Sequence, residues 1–169
     1  PVVNIKKGAV VKSTGADGVA VYCAGNGTYN IEDGVKLTGA TGIEVRSGKL
    51  NVKGGTITNN NAINGGGGIF LYQTNDVTVS DGKISKNKAD FGGGICLYTN
   101  DTYAKQTGGS IENNIANAGG GVFGGNYTMV GGIIKDNNNS LTTDERKNTK
   151  GDGVYVGNAF NLGDNAVIA

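Results

Sequence analysis

Residues 92–98 read GGGICLY, three consecutive glycines followed by apolar residues at alternate positions. The pattern recurs as GGGIFLY at 66–72, as GGGVF at 119–123 and as GDGVYV at 151–156. Alternation at period two marks a strand with one buried face. A fixed prefix repeated along one chain marks an internal repeat. Taking the first apolar residue after each glycine group gives Val19, Ile43, Ile69, Ile95, Val122 and Val154, at steps of 24, 26, 26, 27 and 32 residues. This is the leading strand of each repeat.

A middle strand follows as a second apolar pair: Tyr29/Ile31, Leu50/Val52, Val77/Val79, Tyr127/Met129 and Phe160/Leu162. The pair Ala104/Gln106 is defective, so Gln106 must find a partner inside or mark a shift of register. Three residues on stand Gly34, Gly55, Gly82, Gly109 and Gly132, with Asn165 in the last repeat. A closing strand comes next, as GTITNN, GKISKN, GSIENN and GIIKDN. It carries Ile57, Ile84, Ile111 and Ile134, each followed three residues later by Asn60, Asn87, Asn114 or Asn137. The N-terminus fits the same template with Val3, Ile5, Gly8 and Val10.

Three short strands in about 26 residues do not return as hairpins. Stacking equivalent strands in register forms three parallel sheets around a narrow apolar core, a solenoid in which each coil touches only its neighbours. The glycines then mark corners, where the chain turns with positive φ and adjacent coils approach closely. The asparagines are expected to stack as a structural ladder, tolerating the left-handed region and bonding from coil to coil. The expected fold is an all-β, right-handed parallel β-helix of about six coils with three short strands each. Residues 1–169 form one domain, and 138–150 are read as an inserted corner loop. Both ends look cut from a longer polypeptide.

Composition agrees. Glycine numbers 32 of 169 residues with a single proline, far above the usual share of about 7%. Collagen is excluded because no G-X-Y period exists. A net charge of +1 with scattered signs offers no field for nucleic acid, and no run is long enough for a membrane span. The chain has no His, which removes imidazole acid–base chemistry and His-ligated metals, and no Trp for sugar stacking. Cys23 and Cys96 form no CxxC pattern and read as free thiols.

The repeats GGTITNNNA…GGGGIFLY, DGKISKNKA…GGGICLY and GGSIENNIA…GGGVF resemble the right-handed β-helix repeats of bacterial surface proteins. They are similar in style to the GGA(I/L/V) and FxxN repeats of polymorphic outer membrane proteins, with IxxN in place of FxxN. The resemblance implies secretion, a place on a bacterial envelope, and adhesion. It is specific for architecture, because β-helices host lyases, hydrolases, adhesins and inert stalks alike.

A lyase on this fold needs a carboxylate cluster for calcium and a positioned basic residue, and a hydrolase needs paired carboxylates. Asp76, Asp81, Asp101, Asp136 and Asp152 are outward candidates, yet most lie in turn sequences where Asp bonds its own backbone. The family signatures NTD, DD and RIK are absent, and neither Arg46 nor Arg146 is expected beside a column of carboxylates. The repeated TND at 74–76 and 99–101 raises the question of a cation shared by Asp76 and Asp101, but the nonapeptide calcium pattern is missing. No metal or cofactor is expected.

The leading strand offers more. With Ile69 and Leu71 inward, Phe70 and Tyr72 face out, and the equivalent positions hold Ala20/Tyr22, Glu44/Arg46, Cys96/Tyr98, Phe123/Gly125 and Tyr155/Gly157. Tyr22, Phe70, Tyr72, Tyr98, Phe123 and Tyr155 therefore form an aromatic strip, read either as a binding face for glycan or a host surface protein, or as rings that only cover the sheet. A flanking domain of the same chain would also cover it. Two functions remain open: a stalk with an adhesive, carbohydrate- or host-binding surface on a bacterial cell surface or in its secretions, and a polysaccharide-active enzyme of the pectate-lyase-like fold.

Overall fold

The structure, a computed structural model, describes residues 1–73, 76–139 and 151–169. Among these the chain is all β, and its strands stack in parallel as a β-solenoid of about five turns. About six coils were expected. The leading sheet has six strands, Val19–Cys23, Thr41–Val45, Ile69–Leu71, Ile95–Leu97, Val122–Gly124 and Val154–Tyr155, and five turns separate the first from the last.

Middle and closing strands belong to one ten-stranded sheet. In four coils they are a single bent strand: Lys49–Thr58, Asp76–Ser85, Asn126–Lys135 and Ala159–Ile168. In the first three the bend falls on glycine in the left-handed region, with φ of 79° at Gly55, 98° at Gly82 and 87° at Gly132. The last coil differs from expectation by one residue. Asn165 pairs with Gly131, and Ala166 stands opposite Gly132, because an irregularity of register precedes them. A further short strand in the central coils was not anticipated: Lys88–Phe91, Ile115–Ala118 and Asn138–Asn139 form a third sheet. Asn138 and Asn139 are thus strand, not loop, and the remainder of the 138–150 insertion lies outside the described residues.

Two registers at the N-terminal end need correction. Val21, not Val19, pairs with Ile43, so Tyr22 lies level with Glu44 and buried Cys23 with Val45. Val11, not Val10, pairs with Leu37, and Val10 is exposed. The first is a slip of two residues that keeps the same side chains inward, because alternation fixes the face of a strand but not its position along the neighbour. The second is a slip of one, because a run of adjacent valines fits either parity until the neighbouring coil selects one.

The core is a set of columns. Leu37, Ile57, Ile84, Ile111 and Ile134 stack in register, all buried. Removing each such side chain from water is worth about 1.5–3 kcal/mol. A second column runs Leu50, Val77, Ala104, Tyr127. Here the small Ala104 sits directly beneath the large, fully buried Tyr127. The Tyr127 hydroxyl donates to Gln106 Oε1 at 2.6 Å, and Gln106 Nε2 donates to the Gly108 carbonyl at 3.1 Å. Gln106 therefore stays in register and is satisfied inside the core.

Asn60, Asn87, Asn114 and Asn137 stack at one corner. Each Oδ1 of Asn87, Asn114 and Asn137 accepts from both the backbone N–H and the Nδ2 of the asparagine one coil earlier, at 2.7–3.1 Å. Their second Nδ2 bonds run to the carbonyls of Ile57, Ile84 and Ile111 at 2.9–3.1 Å. The left-handed residue at this corner is the one before: Asn59, Lys86, Asn113 and Asp136, with φ of 53–57°. The ladder asparagines do not need that conformation, since the preceding residue already makes the turn. Asn87→Ala should cost about 2–3 kcal/mol by orphaning the Asn60 N–H and Nδ2 donors inside the protein. A shift in urea midpoint checks this, and an unchanged midpoint would mean water replaces the ladder at no cost.

Candidate functional site

The outer face of the leading sheet carries two rows of side chains, because the strand sends alternate residues to the same side. One row is Tyr22, Glu44, Phe70, Cys96, Phe123 and Tyr155 by direct pairing. The next holds Arg46, Tyr72 and Tyr98, each directly following its strand. Their placement is continued by backbone bonds from Tyr72 N–H to Val45 and Tyr98 N–H to Leu71.

The rows do not make one continuous strip. Phe70, Tyr72 and Tyr98 form one group: Tyr72 and Tyr98 stack at 5.4 Å and 21°, and Phe70 meets Tyr98 edge-on at 5.5 Å. Phe123 and Tyr155 form a second, stacked at 5.3 Å, and Phe91 joins it from the third sheet at 4.9 Å. Cys96 separates them. Expected to face out, it is fully buried. The glycine corners fold across it so closely that a Cβ on Gly66 would lie 2.9 Å from Cys96 Cβ, and one on Gly92 2.7 Å from its Cα. Burial pushes the thiols of both Cys23 and Cys96 up to about 12, which removes them as nucleophiles. Tyr22 stands apart and exposed.

Beside the first group lies a cleft of about 380 Å³. Glu44, Arg46, Phe70, Tyr72 and Tyr98 line it from the sheet, and its other lining residues include Asp17 and the corner Ala62, Ile63, Asn64 and Gly65. Arg46 stands beside one carboxylate and not a column of them: its Nε donates to Glu44 Oε1. The guanidinium also lies over Tyr72, with Cζ 4.3 Å from the ring centroid, and 5.9 Å from that of Phe70. Such contacts contribute about 0.5–2 kcal/mol and hold the guanidinium plane in place. Glu44 and Arg46 were visible as outward neighbours of Phe70 and Tyr72. Asp17 and residues 62–65 were not, because corner segments carry no alternation to follow.

The aspartates fall elsewhere. Asp76 pairs with Lys49 Nζ at 2.9 Å. Asp81 accepts from the N–H of Gly82 at 2.7 Å, and Asp152 from that of Asn139 at 2.8 Å. Asp136 occupies the left-handed corner position. Asp101 lies in a turn two residues before Tyr103, so it is not level with Asp76. Arg146 lies outside the described residues. Among the described residues no three Cys, Asp or Glu side chains come together as a metal-holding group.

Chemically, the cleft offers ring faces and edges for apolar surfaces, a guanidinium donor and the Glu44 carboxylate on the sheet side, and a second carboxylate on the Asp17 turn. Compared with models of protein families, with curated proteins and with solved structures, the chain finds no match in any of the three.

Proposed function

We propose that this β-solenoid is a non-catalytic segment of a bacterial cell-surface or secreted protein. It acts as a stalk whose leading-sheet exterior binds carbohydrate at the Arg46–Phe70–Tyr72–Tyr98 cleft. The observation that carries the reading is the convergence of three aromatic rings and an ion pair on one cleft of an otherwise regular sheet. Sugars present apolar faces and hydroxyl edges, which rings and charged hydrogen-bonding groups match respectively. The surface location rests on the resemblance of the GGxI and IxxN repeats to those of surface proteins. Host surface proteins and flanking domains of the same chain are the other partners of this face.

A polysaccharide-active enzyme is the second reading, and Asp17 together with Glu44 in one cleft is what favours it. Glu44 is engaged by Arg46, which suits a binding role better than acid–base work. Release of new reducing ends from polysaccharide by the parent, abolished in Asp17→Asn, would establish the enzyme instead.

A glycan array followed by calorimetry tests the binding reading. The double variant Tyr72→Ala/Tyr98→Ala should fold, because both rings lie outside the core. Its affinity should fall about thirtyfold, from about 1 kcal/mol per ring. Binding equal to that of the parent would reduce the rings to a cover for the sheet.

A further inference from the structure

Glu44 and Arg46 leave the same face of one strand, and their bond uses Arg46 Nε and Glu44 Oε1. A guanidinium has five N–H donors and a carboxylate about four acceptor sites. The structure gives the Nη groups and Oε2 no other hydrogen-bond partner among the described residues. Both groups are held: the Glu44 side chain is only 13% exposed, and the Arg46 guanidinium rests on Tyr72. A donor resting on an aromatic ring therefore stands beside a largely buried acceptor, on a cleft that Phe70 and Tyr98 also line. The two charges cancel, and the remaining ionised group of the lining is the carboxylate of Asp17.

We infer that the Glu44–Arg46 pair sets the specificity of this cleft by reading two neighbouring hydroxyls of an uncharged sugar. One hydroxyl donates to the Glu44 carboxylate while its neighbour accepts from an Arg46 Nη group. The sugar's apolar face lies against the rings. A uronic acid is disfavoured, because its carboxylate competes with Glu44 for the same guanidinium and meets Asp17 as a like charge. An ammonium-bearing sugar meets only Asp17 as an opposite charge, since Glu44 is already paired with Arg46. This inference rests on the carbohydrate reading of the cleft and adds to it the class of sugar and the residues that choose it.

The test is calorimetry with neutral gluco-, manno- and galacto-configured tetrasaccharides and with tetragalacturonate, on the parent, Glu44→Gln and Arg46→Gln. Thermal melting of each variant verifies folding. The parent should bind at least one neutral tetrasaccharide and not tetragalacturonate. Glu44→Gln keeps the side-chain shape but leaves Arg46 uncompensated. It should weaken neutral binding about tenfold, the worth of a hydrogen bond to a charged group, and gain affinity for tetragalacturonate. Arg46→Gln should weaken neutral binding similarly and gain nothing for the uronate; should Glu44→Gln fail to fold, a folded Arg46→Gln that binds the neutral sugar as the parent does overturns the inference. Parent binding that favours tetragalacturonate, or a folded Glu44→Gln with unchanged preference, overturns the inference and leaves the carbohydrate reading standing. Binding of no saccharide by the parent overturns both.

Discussion

Ile84→Asp should unfold the central coils at neutral pH. Ile84 is fully buried between Ile57 and Ile111 in the closing column, and its neighbours are the carbon side chains above and below. An aspartate there loses the packing of the isoleucine and has no partner for its charge. The expected loss is on the order of 5 kcal/mol or more, comparable with the whole stability of an ordinary domain. Because each coil is held by the ones it touches, the damage spreads to both neighbours. Desolvation raises the folded-state pKa of the new carboxyl, so the penalty of its charge grows as pH rises above about 3.9 and relaxes below it. The parent behaves oppositely at Glu112, whose carboxyl the Lys83 hydrogen bond holds below the usual range. That contribution is present above the ordinary carboxylate pKa and is lost as pH falls through the depressed folded value. Circular dichroism at pH 7 and in acid reads both effects. A variant with the parent's urea midpoint at pH 7 would show that the column is not buried.

Gly94→Ala should be nearly as damaging, for a different reason. Gly94 is not in the left-handed region, so alanine meets no conformational barrier there. Its Cβ would lie 2.5 Å from the Gly121 carbonyl oxygen, 2.7 Å from Ile111 Cγ2 and 3.2 Å from Asn114 Nδ2. The first contact is backbone of the next coil and cannot swing aside. The same clash recurs from Gly68 to the Gly94 oxygen at 2.5 Å and from Gly121 to the Gly153 oxygen at 2.4 Å. A glycine column thus lets the leading corner lie against both the isoleucine and the asparagine columns. We expect a loss of about 3 kcal/mol from the forced separation of coils. Gly157→Ala is the matched control. Its Cβ would meet only Asn100 Oδ1, at 3.9 Å, and the change should be neutral or stabilise by about 0.4–1 kcal/mol. Equal urea midpoints for the two variants would refute the close-approach account.

The column accounts for the third glycine of each triplet. Only the first glycine of the triplets at 92–94 and 119–121 needs positive φ, 58° at both Gly92 and Gly119. The third is glycine because a neighbouring coil occupies the space of a side chain. Both reasons are written as the same letter, so the sequence could announce the corner without saying which glycine turns the chain and which one yields room.

What the sequence by itself determined is the architecture. Spacing near 26 residues, alternation within each strand and the Ile-x-x-Asn element specify stacked parallel coils, because each feature is local and repeats. It also determined the membership of the isoleucine column, whose register matches from Ile57 to Ile134. Tertiary structure decided whatever depends on one coil's position over another. It chose Val21 over Val19, covered Cys96 with glycine corners, and divided six outward aromatics into two groups and a solitary Tyr22. It also brought Asp17 and the 62–65 corner against Glu44, Arg46 and Phe70 to make a cleft. Strands repeat and can be read from their period. Corners differ in length from coil to coil, and the path of an aperiodic segment is set by the packing it meets, so the site built from corners was hidden until the coils were stacked.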